Sequence, residues 1–154
     1  MRILLLSLSY LVVFSFGLGA GVYLLPILSA PPAPTHAQVQ DAARDRMFTA
    51  TFRRDAKGSD LFHWGDGHVT ITRSAVGLHG RLAPGPAYKL YLVPGVVDSE
   101  EGFRRVKAQS LQVGDIRTFE NFIVPLAPPW ALQTNKTVVV WCDSFSSFMT
   151  GAKC

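Results

Sequence analysis

The sequence predicts an all-β fold, an antiparallel β-sandwich or jelly-roll-like domain, preceded by one N-terminal transmembrane helix. Three features indicate this: a long uncharged apolar run, a proline-rich segment after it, and then short alternating segments separated by Gly and Pro. Many short strands joined by turns favour a sandwich architecture. We therefore divide the chain into a membrane anchor or uncleaved signal at 1–28, a Pro/Ala-rich stalk at 29–45, and a β-sandwich domain at 46–154.

The apolar run covers residues 3–25 and contains no charged side chain. At about 1.5 Å per helical residue it reaches roughly 34 Å, whereas the hydrocarbon core of a bilayer is about 30 Å thick. A cleaved secretory signal is the alternative, although its apolar region normally covers only about 7–15 residues. Small residues near Ala30 and Ala37 leave cleavage open, but the length of the run favours an anchor in the membrane.

The orientation of this helix follows from the basic residues around it. Arg2 precedes the run, and the next basic residue is Arg44. Because positive charge is retained on the cytoplasmic side, we expect a cytoplasmic N-terminus. The sequence thus predicts a single-pass protein of the cell membrane whose C-terminal domain is extracytoplasmic, in the periplasm if the host is bacterial.

The stalk begins with Pro31, Pro32 and Pro34, which favour extended backbone. We expect a semi-stiff segment with a frayed or briefly helical end. Beyond it, period-two alternation or β-branched content predicts strands at 47–52, 68–72, 88–93, 119–126 and 136–141. Turns are predicted at 65–67, 84–86, 94–95 and 128–129, and one helical turn within 98–108.

Charge excludes some classes of partner. The chain has 15 Lys and Arg against 11 Asp and Glu, a net charge of +4. The basic residues are scattered, and this pattern does not resemble a nucleic-acid-binding surface. We predict contact with a membrane through residues 3–25 and no nucleic-acid partner.

Cys142 and Cys154 are the two cysteines of the chain. A hairpin that turns near Asp143 would place them at opposite ends, too far apart for a disulfide, so we expect two free thiols. Cys142 at the end of a Val-rich strand is open to two interpretations: a small buried hydrophobic residue or a functional thiol.

The standard metal-site and hydrolase motifs are missing. There is no Cys-x-x-Cys, no Cys-x-x-Cys-His and no Gly-x-Ser-x-Gly. A blue-copper site needs a cysteine with two histidines, often with a methionine. Here His63, His68 and His79 all precede Cys142, and Met149 follows without an intervening histidine. We predict no metal site, a turn-capping role for His63, and surface positions in opposite strand phases for His68 and His79.

Several segments together resemble a known family. They are residues 88–94, 110–116, 118–122 and 138–142, the last being a hydrophobic strand that ends in Trp141-Cys142 and is followed by Phe145. This set resembles the DM-thirteen domain, also called the electron-transfer DM domain, in its membrane-anchored bacterial type, over residues 46–153. The resemblance implies an all-β module whose characteristic cysteine, here Cys142, does redox work as a bare thiol or within a site for a prosthetic group such as haem.

Within that resemblance, Cys142 is the redox candidate, and Trp141 and Phe145 are candidates to wall an apolar pocket for a planar cofactor. These side chains and Asp143 would also oppose ionisation of the thiol, so a reactive thiolate needs a nearby cation. Three hypotheses follow. The chain is a membrane-tethered redox or cofactor-binding module with a redox partner protein, a noncatalytic binding or scaffold domain of the cell envelope, or an envelope enzyme. We do not expect it to be an enzyme by itself.

Overall fold

The computed structural model describes residues 1–127 and 135–154. Three α-helices lie within these residues: α1 (Arg2–Ser29), α2 (His36–Ala42) and α3 (Glu100–Val106), the last continued by a 3-10 turn at Lys107–Gln109. The strands are β1 (Phe48–Phe52), β2 (Gly65–Ile71), β3 (Ala75–Leu82), β4 (Tyr88–Pro94), β5 (Leu111–Ile116), β6 (Glu120–Pro125), β7 (Asn135–Cys142) and β8 (Ser147–Lys153).

The strands form two antiparallel sheets, and this confirms the predicted β-sandwich. The first sheet has the order β1-β2-β3-β6 and the second has the order β5-β4-β7-β8. The five predicted strand segments correspond to β1, β2, β4, β6 and β7, and the structure adds β3, β5 and β8. The turn predicted at 128–129 lies outside the described residues.

The main core lies between the sheets, where every second side chain of each strand points inward. Phe52, Val69 and Leu78 of the first sheet meet Leu90 and Val140 of the second, and all five are fully buried. A second, smaller cluster covers the outer face of the second sheet. There α3 packs over the strands, as the predicted helical segment at 98–108 anticipated, and Phe103 is buried against Tyr91 and Trp141.

The turn predicted at 65–67 is wrong, because these residues begin β2 and pair with β3. Gly67 and Gly80 are cross-strand partners whose backbones approach closely. Gly67 has a φ of +131°, and a Cβ atom there would lie 2.4 Å from the carbonyl oxygen of His79. The two glycines therefore allow the backbones of β2 and β3 to lie close together at this pair. The expected opposite phases of His68 and His79 are also wrong, since the two residues pair directly and both are exposed.

We predict that Gly67→Ala lowers the free energy of unfolding by about 2–3 kcal/mol, because it adds both a disfavoured backbone conformation and a clash with His79. Gly58→Ala is the matched control: Gly58 also has a positive φ, +86°, but nothing lies within 4 Å of its added Cβ. That variant should lose only about 1 kcal/mol. Denaturant unfolding of the full chain in detergent measures both, and equal losses would contradict the close-approach argument.

Helix α1 has no buried residue and is long and apolar enough to cross a membrane. It is the one such helix in the described part of the chain, and an N-terminal signal sequence passes the same test. A membrane-compatible helix is thus present at the predicted place.

The stalk region is docked on the sandwich. Thr35 caps α2 through a capping box with Gln38, and Val39 is buried against β3 and β6. Asn121 of β6 donates its side-chain amide to the carbonyl oxygen of Pro34 at 3.1 Å. The imidazole rings of His36 and His79 are also in contact. Residues 34–42 are therefore fixed on the first sheet.

Candidate functional site

Cys142 ends β7 and pairs with Tyr88 of β4 and Ser147 of β8. Its side chain belongs to the core between the sheets and is 1% exposed. Cys154 lies at the other end of the hairpin, since its neighbour Lys153 pairs with Thr137. At about 3.3 Å per residue the two cysteines are separated by roughly 15–20 Å. Both are free thiols, as the sequence predicts.

The Cys142 side chain forms part of the wall of a cleft of about 370 Å³, which we call the thiol cleft. The cleft lies between the end of the sandwich and α1. Its lining is mostly apolar and aromatic and comes from α1, the β1–β2 connection, the loop before β4, the start of β4, the end of β7, the β7–β8 turn and β8. The lining residues are Gly19, Val22, Tyr23, Phe62, His63, Pro84, Gly85, Pro86, Tyr88, Cys142, Phe145, Ser147 and Met149.

The thiol is held in its protonated form. Its S–H group donates to the carbonyl oxygen of Pro86, with 3.1 Å between sulfur and oxygen. Burial raises the pKa of Cys142, and the nearby Asp143 carboxylate raises it further. The backbone N–H groups of Ser144 and Phe145 act in the opposite direction, since they favour the thiolate. The net shift of the pKa is upward, so at neutral pH Cys142 is a neutral thiol.

His63 lies in the same cleft and is oriented by Asp60. Its Nδ1 atom is 2.9 Å and 2.8 Å from the two carboxylate oxygens of Asp60. The backbone N–H groups of Phe62 and His63 also donate to Asp60, and with the imidazole they lower the pKa of that carboxyl. It is Asp60, rather than the predicted His63, that caps this turn.

The structure brings together residues that lie far apart in the sequence and that no complete motif connects. His63 and Met149 share the thiol cleft with Cys142, because the β1–β2 connection folds over the end of β7. No short motif indicates this arrangement, which depends on the path of a loop. Within the described residues, no group of three or more His, Cys, Asp or Glu side chains is placed to hold a metal ion.

Of the two predicted pocket walls, the structure brings Phe145 to Cys142 and places Trp141 elsewhere. Phe145 lines the thiol cleft. Trp141 precedes Cys142 on β7 and therefore points to the opposite face of the sheet. It packs against Phe103 with the Lys107 amine 4.7 Å above its ring. The indole belongs to the cluster under α3 and does not line the thiol cleft.

Comparison with known proteins agrees with this description. The model of one protein family, described as Electron transfer DM13, matches residues 47–154. The chain belongs to this family. No curated protein and no solved structure matches the chain. Membership of the DM13 family suggests a role related to electron transfer, and the all-β sandwich carries the cysteine that the family resemblance singled out.

Cys142 is not placed to ligate haem iron, although His63 and Met149, which are residue types that do so in other proteins, line the same cleft. A cysteine binds haem iron as the thiolate, whereas Cys142 is buried, protonated and bonded to the Pro86 carbonyl. The lining residues include no Lys or Arg that could pair with the carboxylates of a haem. The contacts of the Cys142 sulfur thus favour a protonated thiol over an iron-bound thiolate.

We predict a pH signature for the buried thiol in a Cys154→Ala background, in which Cys142 is the remaining cysteine. Because the pKa of Cys142 is raised on folding, the unfolded chain releases its thiol proton first as the pH increases above about 9. The free energy of unfolding should therefore fall with pH above this point. In the same background, Cys142→Ala should reduce this decrease in the free energy of unfolding. Denaturant unfolding between pH 8 and pH 10 measures both proteins.

Burial also raises the pKa of Tyr88, and the free energy of unfolding of both proteins should therefore fall further at higher pH. Because the Cys142 charge also contributes to the Tyr88 shift, the difference between the two stability curves reports on Cys142 below about pH 10, where tyrosine is still protonated in the unfolded chain. Parallel curves across this pH range would contradict a raised pKa for the thiol.

Proposed function

We propose that the chain is a membrane-tethered, extracytoplasmic electron-transfer module whose redox group is the bare thiol of Cys142. The observation that supports this most strongly is the position of the thiol in the wall of an apolar cleft, rather than in the middle of a closed core. Membership of the DM13 family supports the electron-transfer role. The N-terminal helix supports the tether, with a partner protein supplying or accepting electrons on the outer side of the membrane.

Oxidation of a neutral thiol requires that its proton leave, because the thiolate is the reactive form. His63 supplies a base in the same cleft, with its Nδ1 atom oriented by Asp60. With hydrogen peroxide as the oxidant, the sulfur loses two electrons, the O–O bond breaks, and the products are a sulfenic acid and water. Ser147 adds a hydroxyl group in the cleft beside the thiol, where it acts to lower the pKa of Cys142. It can donate to an oxidised sulfur or to a bound ligand.

A second candidate is a noncatalytic binding or scaffold domain of the cell envelope. The 1% exposure of Cys142 and its place in the main core favour this alternative, since a buried thiol in apolar surroundings is usually inert. The two candidates differ in one measurable property, which is whether reagents reach the sulfur without unfolding of the domain.

The test uses the full chain with Cys154→Ala in detergent micelles, treated with hydrogen peroxide at pH 8.5 and a sulfenic-acid trap. We expect Cys142 to be modified in the folded protein faster than the core backbone amides exchange with solvent by global unfolding. Mass spectrometry follows both reactions, and a chain with both cysteines replaced by Ala is the control. Modification that proceeds only at the global unfolding rate would favour the scaffold function.

His63→Gln tests the proposed base. If His63 accepts the thiol proton, this variant should slow peroxide oxidation of Cys142 by at least about tenfold below pH 8. The effect should shrink as the pH approaches the pKa of the thiol. The matched control is His68→Gln, since His68 is exposed on the outer face of the first sheet. Equal rates of Cys142 oxidation in the two variants would contradict the role of His63 as the base. The reactivity of Cys142 itself is tested by the sulfenic-acid experiment and would not be affected by that result.

A further inference from the structure

Three large apolar side chains are exposed around the mouth of the thiol cleft. Leu61 is 81% exposed, Phe62 is 61% exposed and Phe145 is 61% exposed. Leu61 and Phe62 lie in the β1–β2 connection, Phe145 lies in the β7–β8 turn, and Phe62 and Phe145 line the same cleft. We call these three residues the apolar rim. Clustered exposed apolar side chains mark interaction surfaces.

The apolar rim is continuous with the membrane-compatible helix. The rings of Phe62 and Tyr23 meet edge to face, with 6.4 Å between their centroids. Gly19 and Val22 of α1 line the thiol cleft as well. Tyr23 comes two residues before the end of the apolar run, about 3 Å along the helix. Tyrosine is enriched at this level of a bilayer, where hydrocarbon meets the headgroups. With α1 spanning the bilayer as in the proposed function, Phe62 would lie at the depth of the membrane interface.

The next residues of α1 meet a more polar part of the sandwich. Ile27 near the end of α1 and Ala30, just after the helix, line a second cleft together with Trp64. The guanidinium of Arg54 lies over the Trp64 ring, 3.9 Å from its centroid. Tryptophan and arginine are typical of the headgroup layer. Along α1 from Tyr23 to Ile27, the neighbouring side chains of the sandwich thus change from the apolar Phe62 to the amphipathic pair Trp64 and Arg54. This is the direction in which a spanning α1 would leave the hydrocarbon.

We propose that the apolar rim is a lipid-binding surface, inserted into the outer interfacial layer of the bilayer that α1 crosses. Its partner is the lipid of that bilayer, and the thiol cleft consequently opens towards the lipid rather than towards the aqueous phase. The inference rests on the membrane tether of the proposed function, and it does not depend on any redox chemistry of Cys142.

The test places a fluorescent label on the apolar rim of the full chain. Phe62→Cys, in a background with Cys142→Ala and Cys154→Ala, is labelled with an environment-sensitive NBD dye and reconstituted into phosphatidylcholine nanodiscs. We expect lipids that carry a shallow nitroxide to quench this label at least about threefold more than the control label, and aqueous iodide to quench it less. Leu61→Cys should behave in the same way while keeping the contact between Phe62 and Tyr23.

Val96→Cys is the matched control. Val96 is 63% exposed, much like Phe62, but it follows Pro94 at the end of β4 opposite Tyr88, far from the cleft. Labels at positions 61 and 62 that iodide quenches as readily as the label at 96, without quenching by nitroxide lipids, would overturn the inference. An intact mass that shows removal of α1 from the mature chain would also overturn it. Neither result would alter the reactivity of Cys142, which the peroxide experiment measures separately.

Discussion

The pairing of β4 with β7 is the interaction on which the site depends. It places Tyr88 opposite Cys142 at one end of the second sheet. The Tyr88 hydroxyl then donates to the carbonyl oxygen of Ala83 at 2.8 Å and so fixes the loop before β4. That loop carries Pro86, whose carbonyl oxygen accepts the hydrogen bond from the thiol. The contacts of the sulfur are therefore set by strand register and by one buried tyrosine.

The same geometry determines how the thiol behaves. Desolvation is the largest influence on the pKa of Cys142, and it outweighs the backbone N–H groups that favour the thiolate. A thiol of this kind is unreactive until its proton is removed, and the base that we propose for that step is His63, which lines the same cleft. Access through an apolar cleft would also select among oxidants, since charged reagents pay a desolvation cost that uncharged ones avoid.

Much of the fold could be predicted from strand periodicity, but the additional strands show its limits. β3 contains Gly77 and Gly80, which interrupt the apolar alternation, and Gly80 is required by the close approach of the β2 backbone. In β8 an irregularity of pairing with β7 buries Phe148, Met149 and Thr150 in succession, and this hides the period of two. Cys142 was identified as the candidate functional residue by the family resemblance. Strand alternation alone predicts that its neighbour Trp141 points to the opposite face of the sheet. The presence of His63 in the same cleft as Cys142 could not be predicted, because it depends on the path of the loop between β1 and β2.

The segment between the apolar run and the sandwich limits how the domain sits on a membrane. Helix α1 ends at Ser29, and Thr35 already caps α2, whose Val39 is buried on the first sheet. At about 3.5 Å per residue this short connection covers at most roughly 20 Å, so it cannot act as a long flexible tether. Because Pro34 is also bonded to Asn121, the end of α1 is fixed close to the sandwich. In the proposed arrangement, a helix that crosses the bilayer would hold the apolar rim and the thiol cleft against the lipid, instead of allowing the domain to rotate freely.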